Sequence, residues 1–329
     1  MPPPPPSQLD PHQLAAENKQ RARHLGFDLV GIASAEPSRY RDYLRQWLDD
    51  GQAGSMDYLA RRFEERIDPA VYVPDAVSVI CVAINYHVPL DPVPPADAIH
   101  HGRIARYALG ADYHTLIKDR LWKLSDWLRT AVPGATTRPC VDTAPVMEKD
   151  LAARAGLGWI GKNTCTIHPH IGSWLLLGEI ITTVALPPDE PAVDRCGTCR
   201  RCLDACPTGA ITAPYQLDAR KCISYLTIEH PAPIPDEFHA QLGDWLYGCD
   251  ICQDVCPWNH KAAATSDPAT DAALRPRFPT GTLDLRDLLN WQQTDYSTHL
   301  RGSAMKRVKL PVLQRNARII QQNLSTARK

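Results

Sequence analysis

The sequence predicts an α/β domain, then a cysteine-rich module, then a short, basic and helical C-terminus. Helix-like and strand-like segments alternate over residues 8–187, which is typical of the α/β class. Eight of the eleven cysteines fall between residues 196 and 256, within a predicted module of residues 188–262. The predicted C-terminal segment comprises residues 263–329. Its last part, residues 297–329, contains eight Lys or Arg and no Asp or Glu.

Each element of the α/β domain has its own pattern. Apolar residues at helical spacing run from Ser38, a candidate N-cap, to Gly51. The segments "DAVSVICVAINY" and "SWLLLGEIITTVAL" each predict a buried strand, because they are continuously apolar and rich in Val, Ile or Leu. Two helices are predicted between these strands. The first is amphipathic, with an apolar face of Leu116, Ile117, Leu121, Leu124 and Leu128, and the second is short and begins at about Pro145. The segment "LPPDEPAV" marks the end of the domain.

The composition gives no sign of export or membrane insertion. No stretch of about 18 apolar residues occurs, so the sequence predicts no membrane-spanning helix. The first residues, "MPPPPPSQLD", lack a basic segment followed by an apolar one, so we expect a disordered Pro-rich tail over residues 1–7 and no secretory signal. The net charge of −1 shows no overall bias towards nucleic acid. We therefore expect a cytoplasmic monomer.

The spacing of the cysteines is typical of bacterial ferredoxins. The segment "CGTCRRCLDACP" has the pattern C-x2-C-x2-C-x3-C-P, with its cysteines at Cys196, Cys199, Cys202 and Cys206. In two-cluster ferredoxins the first three cysteines bind one 4Fe–4S cluster and the fourth binds the other. A second copy, "CDICQDVCP", has Leu246 where its first cysteine is expected. Cys222 is the nearby cysteine that can replace the missing ligand.

These spacings predict two sets of four ligands. One cluster is expected on Cys196, Cys199, Cys202 and Cys256, and the other on Cys206, Cys222, Cys249 and Cys252. Zinc ribbons also contain C-x2-C pairs, but two C-x3-C-P endings fit ferredoxin ligation better. The cysteines outside the module are expected to be buried small hydrophobic side chains, and these are Cys81, Cys140 and Cys165.

The segment "AGLGWIGKNT" partly matches two phosphate-binding patterns. Its glycines form G-x-G-x-x-G, and Gly156, Gly161 and Lys162 form most of a P-loop in which Asn163 replaces Ser or Thr. Both the dinucleotide pattern and the P-loop require a strand before the first glycine. The segment before Gly156, "PVMEKDLAARA", instead predicts a helix. We therefore interpret Gly156 as the C-cap of that helix. The loop after it is a tight turn that allows close backbone approach to a flat or phosphate-bearing ligand.

Several segments, taken in order, resemble the epoxyqueuosine reductases. They are "CVDTAPVMEKDLAARAGLGWIGKNT", "GSWLLLGEI", the pair of ferredoxin motifs and "RGSAMKRVKLPVLQRNA", and the resemblance runs from about "GFDLVGIA" to "RNARII". Members of that family are cobalamin-dependent iron–sulfur enzymes that reduce epoxyqueuosine to queuosine at the wobble position of tRNA. The resemblance implies an α/β cobalamin-binding domain, a bacterial-ferredoxin-like module with two 4Fe–4S clusters, and a tRNA with a queuosine-type anticodon as partner.

The resemblance also implies roles for individual residues. Asp142, in the VDTAP motif, corresponds to the proton donor of the family, and a helix cap is the alternative role for this residue. The cobalamin is implied to be base-off, because the D-x-H-x-x-G signature of many B12 domains is absent and "DYH" at residues 112–114 is only a fragment of it. The pocket for the cofactor is expected to be lined by Arg66, Tyr107, Asp142, Lys162, Asn163 and Ser173.

The acid-free C-terminus favours a surface that binds RNA. A basic run is often only a solvated face, but the complete absence of acidic residues over residues 297–329 favours a phosphate-binding patch. We expect the tRNA backbone to contact Lys306, Arg307, Lys309 and Arg315. Longer members of the family carry helical repeats after the "RNA" motif, whereas this sequence ends at Lys329. Contacts made by those repeats are expected to be absent or replaced.

One activity is favoured and several alternatives stay open. A flavodoxin-like or ferredoxin-like donor is expected to deliver single electrons to the clusters, which pass them to cobalamin. Asp142 is expected to protonate the opening epoxide, with a pKa that burial beside the cofactor raises. The alternatives are a cobalamin-dependent reductive dehalogenase, a ferredoxin-type electron carrier and an RNA-binding protein with structural clusters.

Overall fold

The computed structural model of the chain describes residues 10–92, 100–260, 262 and 267–326, so the predicted Pro-rich tail lies outside the described residues. The helices are α1 Pro11–His24, α2 Arg41–Asp49, α3 Tyr58–Arg61, α4 Phe63–Ile67, α5 Pro69–Tyr72, α6 Tyr113–Ala131, α7 Glu148–Arg154, α8 Arg201–Ala205, α9 Ile223–Ile228, α10 Ile251–Asp254, α11 Pro268–Leu274, α12 Leu285–Asn290, α13 Gln293–His299 and α14 Leu310–Thr326. The strands are β1 Leu29–Ser34, β2 Ser78–Asn85, β3 His101–Ile104, β4 Thr137–Cys140, β5 Trp159–Ile160, β6 Thr166–Ile167, β7 Leu175–Thr182, β8 Ile211–Ala213, β9 Gln216–Leu217, β10 Trp245–Tyr247 and β11 Thr282–Asp284.

The central sheet has the strand order β1-β2-β7-β4, and every neighbouring pair is antiparallel. The sequence predicted the α/β class, whose sheets are mostly parallel. Because this sheet is antiparallel, the prediction of the class is wrong and the domain is of the α+β type. The order of helices and strands along a chain does not determine the direction in which two strands pair. All eight residues of β2 are buried, because helices cover both faces of the sheet. Such strands have the continuous apolar pattern that is typical of parallel sheets.

The two faces of the sheet contribute to two separate cores. Ile80, Val82 and Ile84 of β2 pack with α1 and the apolar face of α6, as predicted for that helix. The alternate residues of β2 pack on the opposite face, where α7 lies. Cys81 and Cys140 are completely or almost completely buried in that second core, so the prediction for these two cysteines is confirmed.

The predicted helices are present with shifted ends. α2 begins at Arg41 and not at Ser38, whose hydroxyl accepts a hydrogen bond from the backbone N–H of Tyr40 at 3.2 Å. α7 begins at Glu148, three residues after the predicted start, because the preceding residues form a turn. Gly156 follows its last turn with φ of +77° and donates to the carbonyl of Ala153 at 3.2 Å, as a C-cap glycine does.

A second sheet combines strands from all three predicted domains. It has the order β10-β3-β11, with β10 from the cysteine-rich module, β3 from the first domain and β11 from the C-terminal segment. The basic C-terminus forms the predicted helix, α14, which packs in the same core. Asn316 fixes α14 there by donating to the carbonyls of Thr227 and Leu246 at 2.9 and 3.0 Å. The predicted boundaries therefore do not separate independent bodies.

Over the residues that the structure describes, no helix combines the length and the apolar character needed to cross a membrane.

Candidate active site

The first predicted set of cysteines lines a single cavity. Its walls contain Cys196, Cys199, Cys202 and Cys256, together with Lys162, Asn163, Ile167, Arg201, Pro257 and Trp258. Burial, together with the charges of neighbouring sulfurs in the set, raises the pKa of Cys202 to about 11. The indole N–H of Trp159 donates to the sulfur of Cys196 at 3.4 Å. The four thiols therefore converge on one space, which fits a metal cluster that binds sulfur as thiolate.

The second predicted set of cysteines is also brought together. Burial raises the pKa values of Cys222 and Cys249, and the charge of Cys206 raises both further. The pKa of Cys252 is raised first by a hydrogen bond with Cys165, then by burial and by neighbouring thiols of the set. No group of His, Cys, Asp or Glu in the described parts of the chain could hold a single metal ion. The four ligands of a 4Fe–4S cluster stand further apart, because each binds a different iron.

Cys165 does not have the setting that the sequence predicts. We expected a buried small hydrophobic side chain, but Cys165 is partly exposed and shares a hydrogen bond with the thiol of Cys252. This contact raises the pKa of Cys252 and lowers that of Cys165. The spacing along the chain gave no signal for it, because Cys165 precedes Cys196, the first cysteine of the module, by about thirty residues and reaches the module through the turn after the glycine loop.

The glycine loop binds the cysteine-rich module. Nζ of Lys162 donates to the carbonyls of Gly197 and Cys199 at 2.5 and 3.0 Å. The side chain of Asn163 donates to the carbonyl of Cys252 at 3.3 Å. The hydroxyl of Ser173 donates to Gln253 at 3.0 Å. These three residues were expected to line the cobalamin pocket, and that stays a prediction; in the structure their side-chain polar groups hold the loops that carry the cluster ligands.

Asp142 lies two residues after the end of β4, near Tyr58 and Arg307, and we call the space in front of its exposed side chain the cleft. Its Oδ2 is 3.0 Å from Nε2 of His114, and Nδ1 of the same ring is 2.7 Å from Oδ1 of Asp112. Asp112 is also the N-cap of α6, where it accepts from the backbone N–H of His114 at 3.0 Å. The N-cap therefore orients the imidazole, and the imidazole orients Asp142. The side chain of Asp142 is 55% exposed although protein surrounds it on several sides, so a ligand can reach it.

The charges at this cleft differ from the expectation. Burial raises the pKa of Asp142, but the hydrogen bond from His114, the charge of that ring and the charge of Arg307 outweigh burial, so the pKa is lowered. Burial lowers the pKa of His114, but its hydrogen bonds to Asp142 and Asp112 outweigh it, so that pKa is raised. The predicted rise of the pKa of Asp142 was tied to burial beside the cofactor, and in the chain alone the pKa is lowered instead. The pair holds one proton, and it holds it on the His114 side.

A third acid lies behind Asp142. Oε1 of Glu148, the first residue of α7, accepts a hydrogen bond from the backbone N–H of Asp142 at 2.5 Å. Burial, together with the charge of Asp142, raises the pKa of Glu148 to about 7. Three ionisable groups whose pKa values are pushed in different directions are therefore in contact, which is typical of sites that transfer protons.

The predicted cofactor residues Arg66 and Tyr107 lie on the Asp142 side. The Tyr107 ring meets Tyr113 edge-on at 6.1 Å, and Tyr113 stacks on His114 at 4.1 Å. Nε of Arg66 is buried and has no hydrogen-bond partner among the described residues. Burial lowers the pKa of Arg66, while the charge of Glu148 raises it. The cleft therefore has an aromatic wall, one unused buried donor and an acid–imidazole pair.

Comparison with known proteins gives this arrangement a family. A model of the 4Fe-4S double cluster binding domain matches residues 195–259, and a model described as epoxyqueuosine reductase QueG, DUF1730, matches residues 66–143. The epoxyqueuosine reductase of Xanthomonas campestris pv. campestris is 42% identical over 301 residues, which are 91% of this chain and 83% of the relative. The chain belongs to the epoxyqueuosine reductase family. The family consists of oxidoreductases, and the first model spans all eight predicted cluster ligands.

Solved structures of epoxyqueuosine reductases have the same fold. One, with a tRNA-Tyr epoxyqueuosine-modified tRNA stem loop, aligns with a TM-score of 0.88 and 31% identity over 96% of this chain and 83% of that chain. Another, from Bacillus subtilis, has the catalytic loop of an aspartate swung out of the active site, and aligns with a TM-score of 0.87 and 30% identity over the same shares. The resemblance found in the sequence and the two-cluster 4Fe–4S module are therefore confirmed.

The four residues of this epoxyqueuosine reductase family member that were predicted to contact RNA have three different settings. Lys306 and Lys309 are exposed. Arg307 is paired with Glu229 at 2.8 Å near the Asp142 cleft. The predicted contact of Arg315 with RNA does not fit the structure. Its guanidinium donates to the carbonyls of Leu226 and His230, both at 2.7 Å, and of Ala232. It caps the end of α9, and its two remaining N–H groups donate to the side-chain oxygen of Asn316 at 3.0 and 2.7 Å, so no donor is left for phosphate.

Sequence reasoning missed His114 and Glu148. His114 was seen only as part of an incomplete B12 signature, and Glu148 only as a helix residue. A signal for His114 was present, because an Asp that can cap a helix two residues before a His fixes that ring at the helix start. Glu148 gave no signal in the sequence, because its role depends on the turn that brings the backbone of Asp142 to it.

Proposed function

We propose that this protein reduces epoxyqueuosine to queuosine at the wobble position of tRNA, the last step of queuosine biosynthesis. The observation that carries the proposal is the hydrogen-bonded pair of Asp142 and His114 at an open cleft, in a chain of this family. The structure from Bacillus subtilis has the catalytic loop of an aspartate swung out of the active site, and a second structure contains an epoxyqueuosine-modified tRNA stem loop. Both support the same use of the Asp142 cleft here.

Two 4Fe–4S clusters and a base-off cobalamin supply the electrons for this reaction when they are bound. The clusters would be held by the two sets of converging cysteines, and the cobalamin by the cleft of Asp142. The buried, unpartnered Nε of Arg66 fits a ligand rich in hydrogen-bond acceptors, such as the amide side chains of a corrin. Tyr107 offers an aromatic wall beside it. An external single-electron donor of the flavodoxin or ferredoxin type would reduce the module.

The chain's own residues supply the proton. An opening epoxide develops negative charge on its oxygen, and that charge needs a donor within hydrogen-bond reach. Asp142 is exposed to the cleft, and His114 behind it carries the proton that the pair shares. Asp142 passes this proton to the oxygen and receives it from Nε2 of His114. Asp112 keeps the ring in the orientation that this transfer requires.

The substrate base has to leave the anticodon stack to reach Asp142. Enzymes that act on a base within folded nucleic acid extrude it into a pocket. The rim of this cleft contains Arg307, which is held by Glu229 and lies 5.6 Å from the ring of Tyr58. A cation and an aromatic ring at a rim can contact phosphate and base respectively. Lys306 and Lys309 extend the positive surface from there.

The experiment that tests the function is an anaerobic conversion assay. The protein, reconstituted with iron, sulfide and cobalamin, is incubated with epoxyqueuosine-containing tRNA and a strong reductant, and the nucleosides are analysed by mass spectrometry. Loss of one oxygen that depends on added cobalamin supports the proposal. No conversion by protein shown to hold both clusters and cobalamin would overturn it and would direct attention to halogenated small molecules.

A further inference from the structure

The proposed reaction needs more protons than the pair of Asp142 and His114 holds. Reducing an epoxide to an alkene breaks two C–O bonds, forms one C=C bond and releases the oxygen as water. The balance requires two electrons and two protons, and single-electron donors supply only the electrons. One proton is used when the epoxide opens to a hydroxyl, and the second when that hydroxyl leaves as water. A source for the second proton is therefore needed near Asp142.

Two further acids lie behind Asp142, on the side away from the cleft. Glu148 accepts from the backbone N–H of Asp142 at 2.5 Å. Glu179 lies on β7, directly opposite Cys140 of β4 and Cys81 of β2, on the face of the sheet that α7 covers. Because α7 begins with Glu148 and β4 ends two residues before Asp142, the three acids lie in one region, from the sheet to the cleft.

Glu179 has no structural partner in the part of the chain that is described. Its side chain is fully buried, and neither carboxylate oxygen has a hydrogen bond within that part. Burial raises the pKa of Glu179 well above its usual range, and the charges of Glu148 and Asp142 raise it further. An ionised carboxylate in this position would be unpaired among apolar side chains, so Glu179 is a neutral acid that carries a proton.

We propose that Glu148 and Glu179 form a proton reserve that supplies the second proton of the reaction through Asp142. This proposal rests on the proposed function. After the pair of Asp142 and His114 has protonated the opening epoxide, Glu148 gives its proton to Asp142, which passes it to the hydroxyl as water leaves. Glu179, whose carboxyl has no hydrogen bond to break within the described residues, then turns towards Glu148 and returns a proton to it, and solvent refills the reserve through the exposed Asp142. Both glutamates are positioning residues, because they act through Asp142 and do not touch substrate.

The test compares Glu148→Gln and Glu179→Gln with a matched control. The amide oxygen of Gln at position 148 can still accept from the N–H of Asp142, so the loop keeps its support while the proton is lost. The control is Asp150→Asn on the same helix, where Asp150 is buried but paired with Arg154 at 3.4 Å. All are measured as holoenzymes, with cluster content and thermal unfolding recorded beside each value.

The first readout is the pH profile of kcat. In wild type kcat is expected to fall as pH rises through about 7, because the pKa of Glu148 is raised to about 7. Glu148→Gln is expected to remove this inflection and to slow turnover roughly 100-fold, because the proton must then come from water. The charged or ionisable groups that face the two glutamates, and could contribute to the profile, are Arg66, Cys81, Tyr113, His114, Cys140, Asp142 and Lys149. An unchanged inflection in Glu148→Gln overturns the proposal.

The second readout needs no substrate. Infrared difference spectroscopy detects the carbonyl stretch of protonated carboxylic acids, and Glu179→Gln is expected to lose one such band at neutral pH while Asp150→Asn keeps it. If Glu179→Gln does not fold, Glu148→Gln labelled with 13C-glutamate gives the same information, because Glu148 no longer contributes a band: a labelled acid band that persists at neutral pH supports the proposal, and its absence overturns it. If wild type fails to convert tRNA, the proposed function fails, and the infrared band still decides whether Glu179 holds a proton.

Discussion

Asp142 has a left-handed backbone conformation, with φ of +46°. Residues other than Gly rarely adopt it, and Asp and Asn are among those that tolerate it best. The conformation is held by Glu148, which accepts from the N–H of Asp142, and it turns the side chain towards His114. Such a backbone cost of about 1–3 kcal/mol is typical of functional sites.

The first prediction concerns the proton of Asp142. Asp142→Asn keeps the left-handed backbone, so the clusters and the fold should be retained. Turnover is expected to fall by about 10²- to 10⁴-fold, because an amide cannot donate an acidic proton. Single-turnover assays with mass spectrometry measure the loss, and iron content is the control. Activity equal to wild type would remove Asp142 from the chemistry.

The second prediction concerns the pH dependence that His114 gives to stability. Its pKa is raised in the folded protein, so the imidazolium stabilises the fold fully below the unfolded value of about 6.5, and this contribution is lost as pH rises through the folded pKa. His114→Gln is therefore expected to lower the free energy of unfolding by about 1 kcal/mol near pH 6 and by less at alkaline pH. Urea unfolding at several pH values measures it. A difference that does not change with pH would contradict the prediction.

At this scale the sequence predicts residue types better than their surroundings. The eight ligands follow from spacing, and Asp142 from a motif. The direction of the pKa shift of Asp142 does not, because it depends on His114, which is 28 residues away along the chain and 3.0 Å away in space. Lys162 and Asn163 were assigned to a cofactor because the loop looked like a ligand site. Their hydrogen bonds to the module are tertiary contacts that no local pattern encodes.

Among the elements, α7 connects the cleft to the clusters. It begins at Glu148, behind Asp142, and its end passes through Gly156 into the loop that holds Cys199 and Cys252. The end has a Schellman geometry, in which the N–H of Leu157 donates to the carbonyl of Ala152 at 2.9 Å. The glycine that resembled a nucleotide fingerprint is thus required by the end of a helix.

The third prediction tests this requirement with two glycines. A Cβ at Gly156 would lie 2.7 Å from the carbonyl oxygen of Glu190, whereas Gly134, with φ of +87°, has nothing within 4 Å. Alanine at positive φ costs about 1 kcal/mol at either site. Gly156→Ala is expected to cost about 1 kcal/mol more than Gly134→Ala, because backbone atoms must shift. Equal losses in chemical denaturation would show that the contact with Glu190 is unimportant.

The elements themselves were largely predictable, but their pairing was not. β2, β7, α6 and α14 appear where apolar patterns predict them. The antiparallel order β1-β2-β7-β4 could not be obtained from these patterns, because strands buried on both faces carry no alternation that would reveal direction or register.

On the scale of the whole molecule, the predicted domains share one sheet and its core. β10 and β11 have three residues each and β3 has four, which is too short for a periodic signal. The boundary at "LPPDEPAV" therefore looked like a domain linker, although the chain returns to pair with the first domain later. The cleft of Asp142 and the cluster ligands consequently belong to one folded unit, which is compatible with the proposed electron path between them.

The last prediction concerns the positive surface of that unit. Lys306 and Lys309 are exposed, whereas Arg315 is engaged by backbone carbonyls at the end of α9. A double variant, Lys306→Ala with Lys309→Ala, is expected to weaken tRNA binding and to reduce the slope of log affinity against log salt by about 1.5, because two phosphate contacts are lost. Arg315→Ala is expected to lower stability and leave the slope unchanged. Binding titrations of a tRNA with a queuosine-type anticodon at several salt concentrations measure both. If the double variant keeps its slope, or if Arg315→Ala changes it as much, the assignment of the two lysines to the RNA surface is wrong.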